Sequence, residues 1–377
     1  MVGKIAYDEH WLVRPSVSIV PLGDSIFDFF QSSTRRSRRF RFTPEIAQVI
    51  LSLDGKDSLR KVSEAYSVKE ENVTHLVGLL HEKCIVEPKA LRERINASKF
   101  YRVLNFLGDY FPAAEVFEAF QRIRDSRVGI LGCGAVGSWV AIQLAQSGVA
   151  EFVLIDNDII EESNLNRSLF SRQDIGLPKV HALKAALLEI DSGMSIETIS
   201  REVGRQEDLG LIFGREKPTL FVNCADSPSV DQTSAWLNRF CMVEEIPYVI
   251  AGGYNLHLSL IGMTVIPGES SCFECARARL DELEDDSLRG VRRLWRPKRN
   301  LGSLSPLVGI TSSLTSLEVI RLAVKSERLR PAMLNRRGEF NFLSNEISFV
   351  DLPPHPNCEC GAHTAQKVPQ VETSPVR

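Results

Sequence analysis

Gly132, Gly134 and Gly137 stand in the pattern G-x-G-x-x-G between an apolar run and a helix-like stretch, and Asp156 closes the next apolar run. Glycines so spaced permit a tight turn and close backbone approach, and a helix starting there offers free N–H groups to phosphate. A carboxylate at the position of Asp156 grips ribose hydroxyls. Alone, these features mark a nucleotide site open to either a nicotinamide dinucleotide or ATP, with the dinucleotide the commoner occupant of such motifs. The residues downstream of Asp156 discriminate between them: Asp158, Asn164 and Arg167 in "DNDIIEESNLNR", Lys179 in "GLPKV" and Asp226 in "VNCAD". Hydride transfer needs no Arg and Lys converging on phosphates, nor a further carboxylate. Attack of a carboxylate on the α-phosphate of ATP needs cations to neutralise developing charge and an acid to hold Mg²⁺. The pattern therefore points to ATP and Mg²⁺, with Arg167, Lys179 and Asp226 as catalytic candidates.

Four thiols form a second constellation. Cys272 and Cys275 make a C-x-x-C pair and Cys358 and Cys360 a C-x-C pair. Two such pairs suit a closed tetrahedral Zn²⁺ site of structural type, with His355 or His363 as an alternative fourth ligand. Cys84 and Cys241 fall in helical patterns, and Cys133 and Cys224 lie beside the nucleotide motifs. Eight cysteines in 377 residues do not make a disulfide scaffold.

The elements that must position these residues are legible in part. From Arg127 onward, the strand-like "RVGILG" and "EFVLIDN" flank the helical "GSWVAIQLAQSG", and "TLFVNCAD" and "IPYVIAGG" read as further strands. That alternation predicts an α/β domain over 127–363, a doubly wound, Rossmann-like, mostly parallel sheet. Residues 1–90 predict a separate α+β unit. Its strands are "WLVRPSVSIVPL", "SIFDFF" and "RRFRFT"; its helices are "TPEIAQVILSL", "SLRKVSEAY" after an Asp54-Gly55 turn, and "KEENVTHLVGLLHEKCIV" with a stripe of Val73, Leu76, Val77, Leu80 and Cys84. Residues 91–126 read as a helical connector and 364–377 as a disordered tail. The net charge of −3 gives no general affinity for nucleic acid. No apolar run approaches the roughly 20 residues that span a bilayer, and "MVGKIAYDEHWLVRP" has no signal-peptide apolar region. A soluble cytoplasmic protein is the expectation.

The combined motif D-x-D, S-N-L-x-R, G-x-x-K and (C/N)-x-x-D around a Gly-rich loop resembles the ThiF/MoeB/ubiquitin-activating superfamily of adenylating enzymes, over about 127–361. The resemblance implies that Gly132, Gly134 and Gly137 cradle phosphate and that Asp156 holds ribose. It also implies that Asn164, Arg167 and Lys179 contact the polyphosphate, with Asp158 beside them, and that Asp226 binds Mg²⁺. Ser168 stands where members often have Gln. The same resemblance implies a homodimer, with Arg102 in the region from which a partner's arginine enters the site, and a structural zinc tying the C-terminus to the sheet. No Cys follows Cys275 in the segment where thioester-forming members carry a nucleophile.

Residues 1–90 resemble peptide-clamp domains of the PqqD type, winged-helix-like modules that hold the leader of a ribosomally made precursor peptide as an added strand. A structural cap is the plainer alternative. The run Arg35, Arg36, Arg38, Arg39, Arg41 reads as a solvated face or as a site for an acidic leader. Between Cys275 and "SLTSLEVIRLAV", the acidic stretch Asp281 to Asp286 precedes Arg289, Arg292, Arg293, Arg296, Lys298 and Arg299; this crossover segment is either a solvated loop or a carboxylate-gripping roof. Together these parts resemble the peptide-modifying branch that works on microcin- and pantocin-type precursors. That branch implies adenylation of a carboxylate, here a Glu side chain, followed by intramolecular attack and cyclisation or dehydration in antibiotic biosynthesis. Alternatives are nucleotidyl transfer to a peptide C-terminus, activation of a ubiquitin-like sulfur carrier, an NAD-dependent oxidoreductase and a non-catalytic leader-binding scaffold.

Overall fold

The computed structural model describes residues 5–213, 216–253, 258–287 and 302–360. The chain divides into two compact units, 1–122 and 123–377. In the first, strands β1 (His10–Val13), β2 (Val17–Gly23), β3 (Ile26–Gln31), β4 (Arg36–Arg41), β5 (Asp54–Ser58) and β6 (Val86–Pro88) form two antiparallel sheets, ordered β5-β1-β6 and β2-β3-β4. Helices Pro44–Leu51, Leu59–Ala65 and Glu70–Glu82 complete the core with Trp11, Phe29, Val49, Ile50, Val73 and Val77. Thr43 caps the first helix, its hydroxyl accepting from Ile46 N at 3.4 Å, with Pro44 at the first helical position.

Two local expectations change. Asp54-Gly55 is the start of β5 rather than a free turn; the polar run "DGKDS" has no strand pattern and is recruited by β1, with Gly55 at φ +79° where the ladder slips. Helix Glu70–Glu82 ends before Cys84, which takes a left-handed conformation at φ +58° yet stays buried.

Helices Lys89–Asn96, Tyr101–Gly108 and Ala113–Arg124 come next in the chain. A buried ionic cluster joins the first two to the strands. Arg14, 2% exposed, lies 3.5 Å from Glu87 and donates to Phe111 O at 3.1 Å. Glu87, 1% exposed, also accepts from Arg92, whose Nη1 reaches Asn105 Oδ1 at 2.6 Å. Asp109 accepts from Ser16 and Gln31 at 2.7 and 3.0 Å. Burial lowers the Arg14 pKa, and Glu87 opposes that.

In the second unit the strands are β7 (Arg127–Leu131), β8 (Glu151–Ile155), β9 (Ser195–Ile199), β10 (Leu220–Asn223), β11 (Tyr248–Ile250), β12 (Leu258–Ile261), β13 (Thr264–Val265), β14 (Arg336–Asn341) and β15 (Glu346–Asp351). The six-stranded sheet runs β13-β11-β10-β7-β8-β9, parallel except for β13. Its strand order reverses beside β7, so the crevice between the ends of β7 and β10 is the topological switch point. The register is level there: Leu131 pairs with both Ile155 and Asn223, so Gly132, Asp156 and Cys224 leave the sheet side by side. A small β12-β14-β15 sheet, which the sequence pattern does not announce, stands apart from it.

Helix Ser305–Val324 is long and apolar enough, at mean hydropathy 1.5, to cross a bilayer, contrary to the expectation that no run comes near that length. It is mostly buried and packs on helix Ala135–Gln146. Its Thr315 and Ser316 hydroxyls return to the carbonyls of Thr311 and Ser312 at 2.8 Å, which lets polar residues sit inside the core.

Glu87→Ala should cost about 3–5 kcal/mol, because it strands two guanidinium groups beside buried surface. Urea unfolding of the full chain measures this, and a loss below about 1 kcal/mol would show that the cluster is solvated.

Candidate functional site

Two adjoining pockets open at the switch point. The first is lined by the Gly132–Gly134 turn, Asp156, Asp158, Lys179, Arg201 and the 224–227 loop, the second by Gly134, Asp158, Asn164, Arg167, Ser168, Lys179 and Asp226. Gly132 has φ +88°, and a Cβ there would stand 2.6 Å from Ala225 N. Gly134 caps helix Ala135–Gln146, and a Cβ on it would meet nothing within 4 Å. Open space over a bare helix N-terminus is what a phosphate needs. Gly137 differs from the cradling role that the resemblance implies. It lines neither pocket, and its missing side chain instead lets the helix approach β7, since a Cβ would come within 1.9 Å of Gly132 O.

Asp156 is oriented by its own backbone surroundings: Oδ2 accepts from Cys133 N at 2.6 Å and Oδ1 from Asp158 N at 2.8 Å. Burial raises its pKa despite the nearby Lys179. Lys179 opens helix Lys179–Ile190 and is nearly buried, with Nζ 2.7 Å from Asp158 Oδ2. Asn164 ends a short 3₁₀ turn, its Oδ1 accepting from Glu161 N at 3.0 Å. The guanidinium of Arg167 donates to Ser163 O at 2.7 Å and Asn166 Oδ1 at 3.0 Å, while Arg167 O accepts from Trp139 Nε1 at 3.3 Å. Ser168 donates to Asn164 O at 2.7 Å, so the hydroxyl that replaces a longer amide braces the turn. Asp226 borders both pockets.

Two contributors, Thr233 and Arg201, are not marked by the sequence pattern, and Asn223 enters it only as the first position of (C/N)-x-x-D. Asn223, 1% exposed, donates to Thr233 and Ser234 at 3.1 and 2.9 Å and accepts from Ala225 N at 3.2 Å, while Thr233 donates to Ala225 O at 2.8 Å. These bonds hold the loop that carries Asp226. Arg201, after β9, also lines the first pocket; β9 is short and half polar, so nothing in its pattern singles the residue out. Burial pushes the thiols of Cys133 and Cys224 up, which keeps these neighbours of the pocket protonated.

The four thiols of Cys272, Cys275, Cys358 and Cys360 come within 4.8 Å of one another. Cys272 lies 3.9 Å from Cys275 and 3.6 Å from Cys358, and Cys275 lies 3.5 Å from Cys360. Tetrahedral Zn–S bonds of about 2.3 Å imply sulfurs about 3.8 Å apart, so the C-x-C pair fits as well as the C-x-x-C pair. Hydrogen bonds from Cys272 and the other thiols lower Cys275 to about 4, the thiolate a metal would need. His355 is engaged elsewhere, with Nε2 3.1 Å from Glu282 and Nδ1 accepting from Asn357 N at 3.3 Å. His363 and the crossover residues Arg289, Arg292, Arg293, Arg296, Lys298 and Arg299 lie outside the described residues, whereas Asp281 to Asp286 belong to helix Phe273–Ser287.

A family model described as the ThiF family matches residues 111–362. The rice ubiquitin-like modifier-activating enzyme 5 (Oryza sativa subsp. japonica) is 24% identical over 276 residues, which covers 70% of this chain and 62% of that protein. The molybdopterin-synthase adenylyltransferase of Escherichia coli K12 is 28% identical over 247 residues, 65% of this chain and 91% of its own length. Among solved structures, E. coli MccB with ATP superposes at a TM-score of 0.71 with 23% identity, covering 93% of this chain and 99% of that one. PaaA does so at 0.66 with 20% identity, covering 90% and 99%. MccB, under the description of a microcin C7 biosynthetic enzyme, is also known in complex with N-formylated MccA. At these identities the structural likeness is one of fold.

Gly137→Ala should destabilise the second unit by more than about 2 kcal/mol, because the clash is with backbone; an unchanged melting temperature would contradict it. Purified chain should carry one zinc per four-thiol site by elemental analysis, and Cys275→Ser should lose it. Retention of stoichiometric zinc in that variant would exclude the four-thiol assignment.

Proposed function

The chain belongs to the ThiF family, and from that premise we propose that it uses ATP to adenylate a carboxylate of a ribosomally made precursor peptide. The observation that carries this reading is the continuity of the two pockets, in which Gly134, Asn164, Arg167, Lys179 and Asp226 share one crevice. A nicotinamide enzyme has no use for that cation-and-carboxylate set. In the proposed step an oxygen of the peptide carboxylate bonds to the α-phosphorus as the bond to pyrophosphate breaks. A nucleophile of the same peptide then attacks the activated carbonyl, AMP leaves, and the nucleophile gives up its proton. The net change in the peptide is loss of water.

Each residue has a distinct part. The Gly134 turn and the helix behind it receive phosphate through backbone N–H groups. Asp156 holds ribose hydroxyls. Lys179, steered by Asp158, and Arg167, released from Ser163 O, neutralise charge that grows on the phosphoryl oxygens. Mg²⁺, held by Asp226, would supply further neutralisation of the polyphosphate. Zinc in the four-thiol site would brace the C-terminal segment against the sheet, because four thiolates leave no open position for chemistry.

A peptide substrate is supported by the fold shared with MccB, which has been seen with the peptide MccA, and by an N-terminal α+β unit with free sheet edges. We assign to that unit the leader of the precursor, and to a Glu side chain the activated carboxylate. A homodimer follows from the family pattern. Nucleotidyl transfer to a peptide C-terminus is the second reading, favoured by the same MccB likeness. Mass spectrometry separates the two: the peptide loses one water, or it retains nucleotide mass.

ATP–pyrophosphate exchange in the presence of precursor peptide should fall at least about 100-fold in Arg167→Ala and in Asp226→Asn. Wild-type exchange in either variant would remove adenylation from this site.

A further inference from the structure

Residues 160–177 leave the sheet as one loop whose hydrogen bonds are largely its own. Its neck is closed by Ile160 N donating to Leu177 O and Gly176 N donating to Ile160 O, both at 2.9 Å. Inside it, Asn164 O accepts from Arg167 N and Ser168 N, Asp174 accepts from Ser171 N, and Arg172 lies 3.6 Å from Glu162. The Arg167 guanidinium follows the same habit, since Ser163 O and Asn166 Oδ1 both belong to its own turn. A cation held only in this way moves with its loop, and those bonds do not set its distance from the Gly134 turn. Two others do. Trp139 Nε1 donates to Arg167 O at 3.3 Å, and Leu169 N donates to Ser138 Oγ at 3.4 Å.

Ser138 and Trp139 both stand on helix Ala135–Gln146, whose first turn lies open over Gly134. That helix is itself anchored. Ser138 is fully buried, Gln143 Nε2 donates to Ser313 Oγ at 3.1 Å, and Val136 O accepts from Ser312 Oγ at 3.3 Å. Trp139 is half-buried in a helix otherwise made of small, aliphatic and amide residues, and its indole is a long-reaching donor with no acceptor of its own. We propose that Trp139 is a positioning residue for Arg167. Its N–H holds the Arg167 backbone at a set distance from the helix that receives phosphate, so that only the side chain moves when Ser163 O is exchanged for a phosphoryl oxygen. A backbone fixed in advance reduces the entropy lost when the guanidinium docks. The indole itself touches no reacting atom. The inference rests on Arg167 meeting the triphosphate in the proposed adenylation, and it adds the residue that sets where the meeting occurs.

The test is a double-mutant cycle on the full chain, read by calorimetry with Mg²⁺ and a non-hydrolysable ATP analogue. Trp139→Phe keeps an aromatic ring and removes the donor. It should weaken binding of the analogue about fivefold, and Arg167→Ala should weaken it at least about tenfold. The double variant should bind no more than about twofold more weakly than Arg167→Ala alone, because the indole acts through the arginine. Limited trypsin digestion gives a second reading that needs no nucleotide, since the bond cut after Arg167 is the one whose carbonyl Trp139 holds. Relative to the other tryptic sites, cleavage there should speed up at least about threefold in Trp139→Phe, whereas a general loss of fold would speed all sites alike. Wild-type binding by Trp139→Phe, an equal loss in the Arg167→Ala background, or no selective gain in cleavage at Arg167 would overturn the proposal and leave adenylation standing. Wild-type binding by Arg167→Ala, or none by the unaltered chain, would overturn adenylation at this site and the inference with it.

Discussion

Everything at the candidate site depends on three parallel strands ending level. Leu131, Ile155 and Asn223 close β7, β8 and β10 in one row, so the next residue of each strand faces the same crevice. Gly132 can succeed β7 only because it lacks a side chain where Ala225 N would stand 2.6 Å away. Gly137 then lets the next helix settle against that turn, and Gly134 is left bare over its first N–H groups. A substitution at Gly132 or Gly137 would push apart the loops that carry Asp156 and Asp226.

The polar residues around that row do two kinds of work. Asn223 and Thr233 fix the 224–226 loop through a closed set of hydrogen bonds. Asp158 and Lys179 form a pair at the pocket wall, and Asp156 is held by two backbone amides. The Arg167 guanidinium, by contrast, is parked on its own loop, bonded to Ser163 O and Asn166. Exposed bonds to neutral acceptors of that kind are exchanged readily when an anionic acceptor arrives. The crevice is thus held rigidly around Asp156 and Asp158 and more loosely at the Arg167 guanidinium.

Much of this was legible in the sequence, for physical reasons that differ by element. The parallel strands announce themselves as apolar runs because both faces of the sheet are covered, and glycines bracketing a strand and a helix mark the turn between them. The four thiols were legible because close pairs have few other uses. What stayed hidden was set by partners distant in the chain. "DGKDS" becomes a strand only because β1 lies beside it, β14 and β15 pair with the distant β12, and Arg201 reaches the pocket from a strand too polar to stand out. Gly137 fits the motif by spacing, yet its role is packing, a distinction that only the 1.9 Å approach to Gly132 O reveals. The basic run around β4 looked uniform, and the sheet register sets Arg36 and Arg38 on one side and Arg39 and Arg41 on the other.

The most direct measurement is a crystal structure of the chain with Mg²⁺ and a non-hydrolysable ATP analogue. The account requires the triphosphate on the Gly134 turn, with the Arg167 guanidinium moved off Ser163 O to within about 3 Å of a phosphoryl oxygen and Asp226 on the metal. A nucleotide bound there with Arg167 still on Ser163 O and Asp226 turned away, or one bound elsewhere, would contradict it.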